Sequence, residues 1–253
     1  RYERERRKHI LAWVGIILGL TPMVAPSIGS LLLRFASWRL IFAVQAGLGG
    51  LLLVAAWRFY RETAAQRLAG RVLTLLGRYV HLARNRRYAL SVTAMGLIVG
   101  PFFGFIAFAP TVYIQLYGLS NRTFSFLFGL NALMGMSGAF VCTRVTRWVA
   151  DTRLLTVCLI GCAAGGAGIL VLGERHYAAF AAAMCLMTFF VGMSRPLSNH
   201  LVLEQVRQDI GSASSFLVFY QFLVGAVCMR IVTMPWAAPI RVFGLLAVLL
   251  PVA

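Results

Sequence analysis

The residues able to do chemistry in this sequence are few, and their placement limits what they can do. The seven acids are Glu3, Glu5, Glu62, Asp151, Glu174, Glu204 and Asp209, each at the end of an apolar block or in a connection. A carboxylate in the middle of a membrane span would be the usual relay for a proton or cation, and the sequence places none there. His9, His81, His176 and His200 are scattered over three connections and the start of an apolar block, at no ligand spacing. No carboxylate pair, His-rich cluster or nucleophile beside a base is present to support membrane-enzyme chemistry. The catalytic and metal assignments are therefore empty, no cofactor is called for, and an enzyme is not expected. Cys142, Cys158, Cys162, Cys185 and Cys228 lie within or at the edges of apolar blocks. Cys158 and Cys162 share a helix face without a His or acid neighbour, which reads as packing.

Helix breakers carry more information. Gly15, Gly19, Pro22, Pro26 and Gly29 recur every three or four residues and so form one stripe on a helix. Prolines four apart free backbone carbonyls, and glycines let a second helix approach closely. The stripe fits either a kinked packing helix or a contact between moving bundles. Gly100, Pro101, Gly104 and Pro110 form a second set of breakers, and kinks in non-adjacent spans suit bundles that rock against each other. Among the polar residues inside apolar blocks are Gln45, Asn131, Ser137, Tyr220 and Gln221. Asn131 and Gln221 cannot face lipid cheaply, so each needs an interhelical partner or a wet cavity. Around them, Phe102, Phe103, Phe105, Phe108, Tyr113, Phe128, Met134 and Met136 suit either a greasy cavity for planar or cationic compounds or a packing surface.

The elements that position these residues follow from composition. Of 253 residues 60% are apolar and 12% charged, and the mean hydropathy is +0.82, values outside the range of a soluble chain. About 20 apolar residues make a helix that crosses the hydrocarbon. Eight blocks qualify: Ile10–Leu33, Leu40–Trp57, Ala89–Gln115, Phe124–Cys142, Leu154–Leu172, Tyr177–Met193, Ala213–Met229 and Val232–Ala253. They are continuous rather than alternating, which predicts helices, not barrel strands. The expected fold is an all-α membrane protein, a polytopic helical bundle.

The net charge of +17 is distributed for topology rather than for nucleic acid. Eighteen of the 24 Lys and Arg fall in segments on one side: 1–8, 58–87, 144–153, and Arg195 with Arg207. Arg34, Arg39, Arg122, Arg175, Arg230 and Arg241 take the other side. The positive-inside rule then puts both ends of the chain in the cytoplasm. The stretch 59–88 separates two blocks from six. Within it Leu68, Val72, Leu75, Leu76, Tyr79 and Leu82 recur every three or four residues, with Arg67, Arg71 and Arg78 on other faces. That pattern predicts a basic amphipathic helix at the cytoplasmic surface. The expected organisation is 1–58, two spans; 59–88, a cytoplasmic connection; and 89–253, six spans.

In order along the chain, the motifs resemble those of the drug–proton antiporters of the major facilitator superfamily, in particular the Bcr/CflA drug-resistance branch. The stripe from Gly19 to Gly29 is similar to the antiporter motif of that family's fifth helix, departing from it at Ser30, where a second glycine is usual. Trp38-Arg39 with Phe42 is similar to the opening of the sixth helix and Glu62-Thr63 to its close. Pro110 to Tyr113, Tyr117 to Ser120 and Phe128 to Ala132 resemble the seventh and eighth helices. Asn199, Gly211 to Ser214, Gln221-Phe222 and Gly225-Ala226 resemble the tenth-to-eleventh region.

The resemblance implies about eight spans of an expected twelve, with residue 1 falling just before the fifth helix. The family's first-helix acid, on which proton coupling rests, would then lie outside this sequence. It also implies a secondary active transporter that exports drugs or small amphipathic metabolites in exchange for protons, by alternating access. Its halves are built from inverted three-helix repeats around a midplane site. Gly19, Pro22, Pro26 and Gly29 would be the helix contact that seals against proton leak, and Tyr113, Asn131 and Gln221 the polar contacts of the substrate cavity. Implied partners are a small-molecule substrate, protons and the bilayer of a bacterial inner membrane, with a monomer as the working unit and no nucleic acid. The alternative is a truncated, non-transporting membrane segment, or an interaction partner of an intact homologue.

Overall fold

The computed structural model describes residues 37–60, 85–204 and 210–252, with positions 28, 29, 31–33, 35, 77, 79, 80, 82 and 84. Gly15, Gly19, Pro22 and Pro26, and with them the first apolar block up to residue 27, lie outside the described residues; Gly29 is helical. The chain divides into two compact units, Arg1–Leu73 and Thr74–Ala253.

In the first unit α1 covers Trp38–Phe59. Its 22 residues reach about 33 Å at 1.5 Å per residue, enough to cross the hydrocarbon. Trp38 meets the Phe42 ring edge-on one turn later, and the Arg39 guanidinium lies 5.0 Å from the Trp38 ring centre. Trp57, Arg58 and Tyr60 stand at the opposite end. Aromatic and basic residues at both ends suit the two interfaces of a bilayer.

The second unit contains α2 (Arg86–Pro110), prolonged by a π-helical turn over Thr111–Leu116, then α3 (Asn121–Val145), α4 (Asp151–Leu172), α5 (Tyr177–Glu204), α6 (Ile210–Val232) and α7 (Pro239–Val252). With α1, six helices among the described residues are long and apolar enough to span a membrane. The chain is a multi-pass membrane protein. Among the described residues there is no strand.

Local sequence sets the helix ends. Asn85 caps α2 by accepting from the Tyr88 N–H, and Ser120 caps α3 by accepting from the Thr123 N–H, each satisfying an N–H that has no partner within its helix. Pro110 cannot donate and its ring crowds the carbonyl four residues back. Beyond it the coil widens: the Tyr117 N–H reaches Val112 O and the Leu119 N–H reaches Tyr113 O. Gly118, at φ +67°, supplies the left-handed residue that ends the segment.

Two expectations need correction. The last apolar block is not one helix from Val232. Thr233 to Ala238 form a connection, since Pro235 interrupts the ladder and the Trp236 indole donates to Ile231 O at 2.6 Å. The helix restarts at Pro239, whose missing N–H costs nothing in a first turn. Arg195 does not belong to a connection either. The helix containing it continues to Glu204, and the apolar span alone reaches Ser198. Pro196 cannot donate to Gly192 O, yet the helix continues through it; on the same stretch the Ser194 hydroxyl donates to Val191 O and that of Ser198 to Ser194 O.

Small residues hold the helices together. Gly138 of α3 lies against the Phe189 backbone of α5, and Gly192 of α5 against that of Gly135, so a side chain at either position would strike main chain. In lipid, where apolar burial drives little association, such close approach supplies the van der Waals contact. Before α2, Tyr79 stacks on Phe216 of α6 and Leu82 is buried. These two members of the amphipathic pattern pack on the bundle; Leu68, Val72, Leu75 and Leu76 fall outside the described residues.

Candidate functional site

The polar residues predicted for a cavity stand in three separate places. Asn131 of α3 is 2% exposed; its Oδ1 accepts from the Thr188 hydroxyl of α5 at 3.0 Å and its amide reaches the Cys185 sulfur at 4.0 Å. Its hydrogen-bonding capacity is engaged between two helices. Tyr113, in the π-helical turn, is 1% exposed and enclosed by rings, edge-on to Phe105 and to Phe180 at centroid separations of 6.3 and 5.6 Å. Gln221 of α6 is half-buried. No hydrogen bond or ring contact joins the three among the described residues.

The rings around Tyr113 form a packed cluster. Phe105 stacks on Phe128, and Phe124, Phe180, Phe108 and Phe243 continue the set. Below it, the Tyr117 hydroxyl donates to the Gly173 carbonyl in the α4–α5 connection. Burial, with Glu174 adding to it, pushes the Tyr117 phenol up to about 12. Glu174 also receives both Nε and Nη2 of Arg241, at 3.0 and 2.8 Å, joining that connection to α7.

Two clefts open at the ends of the bundle. One, of about 310 Å³, lies between the π-helical turn and the α6–α7 connection and includes Thr111, Gln115 and Trp236. The other, of about 450 Å³, is bounded by Cys142, Thr143, Thr146, Asp151, Pro196 and Leu197.

Sequence reading missed two features. Thr188 is the partner that Asn131 requires, hidden in an apolar block because threonine is short and common there. Arg195 is exposed on α5 with its guanidinium carbon 5.7 Å from the centre of the Phe102 ring on α2. Its position beside Pro196 reads as a helix end, whereas the helix runs through both.

Residues 1–229 match the model of the family described as Major Facilitator Superfamily. The chain belongs to the major facilitator superfamily. It is 29% identical over 223 residues to an uncharacterized transporter of this superfamily, YdgK, from Bacillus subtilis, a match covering 86% of this chain and 56% of the relative. It is 27% identical over 249 residues to a bicyclomycin resistance protein homolog of Haemophilus influenzae, covering 94% of the chain and 62% of the relative. Over 173 residues it is 33% identical to a chloramphenicol resistance protein of Pseudomonas aeruginosa, covering 68% and 40%. The chain thus spans roughly two-fifths to three-fifths of the length of these superfamily members. The names of the last two agree with the drug-resistance branch that the motifs resemble.

Proposed function

We propose that this chain is the membrane-embedded transport region of an exporter that moves drugs or small amphipathic metabolites out of a bacterial cell in exchange for protons. The observation that carries this is the similarity to superfamily members named for bicyclomycin and chloramphenicol resistance. Physical features support it. Prolines inside α2 and α5 and the π-helical turn give helices defined points at which to bend during alternating access. The protein acts as a monomer in the inner membrane, with both ends of this chain cytoplasmic. Gln221 contacts substrate. Tyr113 and Asn131 shape the cavity from behind, through the rings and the α3–α5 contact that they hold. Gly19, Pro22, Pro26 and Gly29 serve as the helix contact that limits proton leak.

The test is expression of the full-length gene product in an efflux-deficient bacterium, with ethidium export measured before and after the proton gradient is collapsed. Export that stops with the gradient is expected. No export with or without a gradient, from protein shown to be in the membrane, would instead favour a non-transporting membrane segment.

A further inference from the structure

Among the described residues, Arg195 stands inside an apolar span of the second unit, three residues before its end, and proton-coupled export of an apolar drug gives it no use. It sits within the apolar span Tyr177–Ser198, and six helical residues continue beyond that span to Glu204. Its guanidinium does not extend toward that end to reach the headgroups, as a snorkelling arginine would. It lies over Phe102, which is sixteen residues from the start and fourteen from the finish of the span Arg86–Leu116. At 1.5 Å per residue that is more than about 20 Å from either end. A charge at such depth marks a functional site by default.

Among the described residues no ion pair compensates it. On α5 Met193, Ser194, Leu197 and Ser198 are buried while Arg195 is exposed. The Ser194 and Ser198 hydroxyls donate to carbonyls of their own helix. Among the described residues no carboxylate pairs with Arg195; Glu174 is held by Arg241. The described acids Asp151 and Glu174 stand at the start of α4 and in the α4–α5 connection. The guanidinium carbon lies over the Phe102 ring, and among the described residues no hydrogen bond engages its N–H donors, whose planar fork suits a carboxylate or sulfonate in bidentate fashion. From Phe102 the rings continue to Phe103 at 6.0 Å and across to Phe222 of α6 at 5.2 Å, an apolar path beside the charge.

We propose that Arg195, seated on Phe102, is an anion-recognition point for the exported substrate. The compounds taken are amphipathic acids, with the anionic group on the guanidinium and the apolar body along Phe102, Phe103 and Phe222. This rests on the exporter function proposed above and names its substrate class.

The test uses the full-length protein with fluorescein as the anionic probe and ethidium as the cationic one. Efflux is measured in cells, and fluorescein binding by anisotropy in phosphatidylcholine nanodiscs. For Arg195→Gln, at equal membrane abundance, the ratio of fluorescein to ethidium export falls at least ten-fold and fluorescein binding weakens by the same order. Arg195→Lys, which keeps the charge without the fork, lies between. An unchanged ratio, or parallel loss of both probes, would overturn the proposal and leave Arg195 a structural residue. So would fluorescein binding that phosphatidylglycerol in the disc abolishes, since the anion would then be a lipid headgroup. If neither probe is exported while fluorescein binding still depends on Arg195, the anion site stands and the exporter function fails.

Discussion

The hydroxyl of Thr188 donates to the side-chain oxygen of Asn131 across the contact between α5 and α3, with both residues 2% exposed. Removing one partner would leave a buried amide with an unfilled acceptor in a medium that offers no water. Thr188→Val is expected to destabilise the protein by about 1 kcal/mol, within the range found for interhelical hydrogen bonds in membranes. Adding Asn131→Leu should recover part of the loss. Unfolding of the purified variants measured as a double-mutant cycle checks the coupling; strict additivity would show that the pair contributes nothing jointly.

The approach of α3 to α5 at Gly138 predicts a sharp positional contrast. Gly138→Ala drives a methyl into the Phe189 backbone, which cannot yield as a side chain would. A loss of about 1–3 kcal/mol is expected from overpacking. Gly129, on the same helix, faces open space, with nothing within 4 Å of where a methyl would stand. Gly129→Ala should gain up to about 1 kcal/mol from helix propensity. Thermal unfolding of the two variants side by side decides; equal effects would contradict the packing described.

Tyr117 should give the protein an alkaline dependence with a definite sign. Its phenol titrates at about 12 in the folded chain and near 10 when unfolded. The folded state therefore holds the proton more tightly. The stability this contributes is complete below pH 10 and is lost as pH rises from 10 to 12. Tyr117→Phe should cost about 1 kcal/mol at neutral pH, the usual worth of one hydrogen bond, and its stability relative to wild type should improve above pH 10. A difference curve that stays flat to pH 12 would remove the basis for this.

Pro26→Ala in the full-length protein should uncouple or abolish export while leaving the amount inserted unchanged. Proton leak in energised vesicles together with drug resistance in cells provides the check. Resistance equal to wild type would exclude a sealing role for the stripe.

Much of the fold was legible because membrane length and hydropathy act on whole segments. Leu154–Leu172, for instance, is apolar throughout and emerges as α4 with only three residues added at its start. Individual side chains were harder to read. Asn131 offers the same polarity to a substrate as to a neighbouring helix, and only the position of Thr188 one helix away separates the two. Arg195 reads as a helix-end charge because Arg-Pro normally stops a helix in water; in lipid, unsatisfied carbonyls are so costly that the helix continues past it. The break at Thr233 to Ala238 was hidden because Met234, Pro235, Trp236 and two alanines keep the stretch apolar. Proline spacing rather than hydropathy marks it.

The five cysteines bear on how the protein's motion can be followed. All lie in helices, four of them buried and Cys185 half-buried beside Asn131. A hydrophilic maleimide would find almost no native thiol to attack, so the wild-type sequence already serves as a silent background for spectroscopic labels. Thiols introduced at the exposed Asn121 and Arg175 could carry a spin pair, and the distances between them could be recorded with every native cysteine in place.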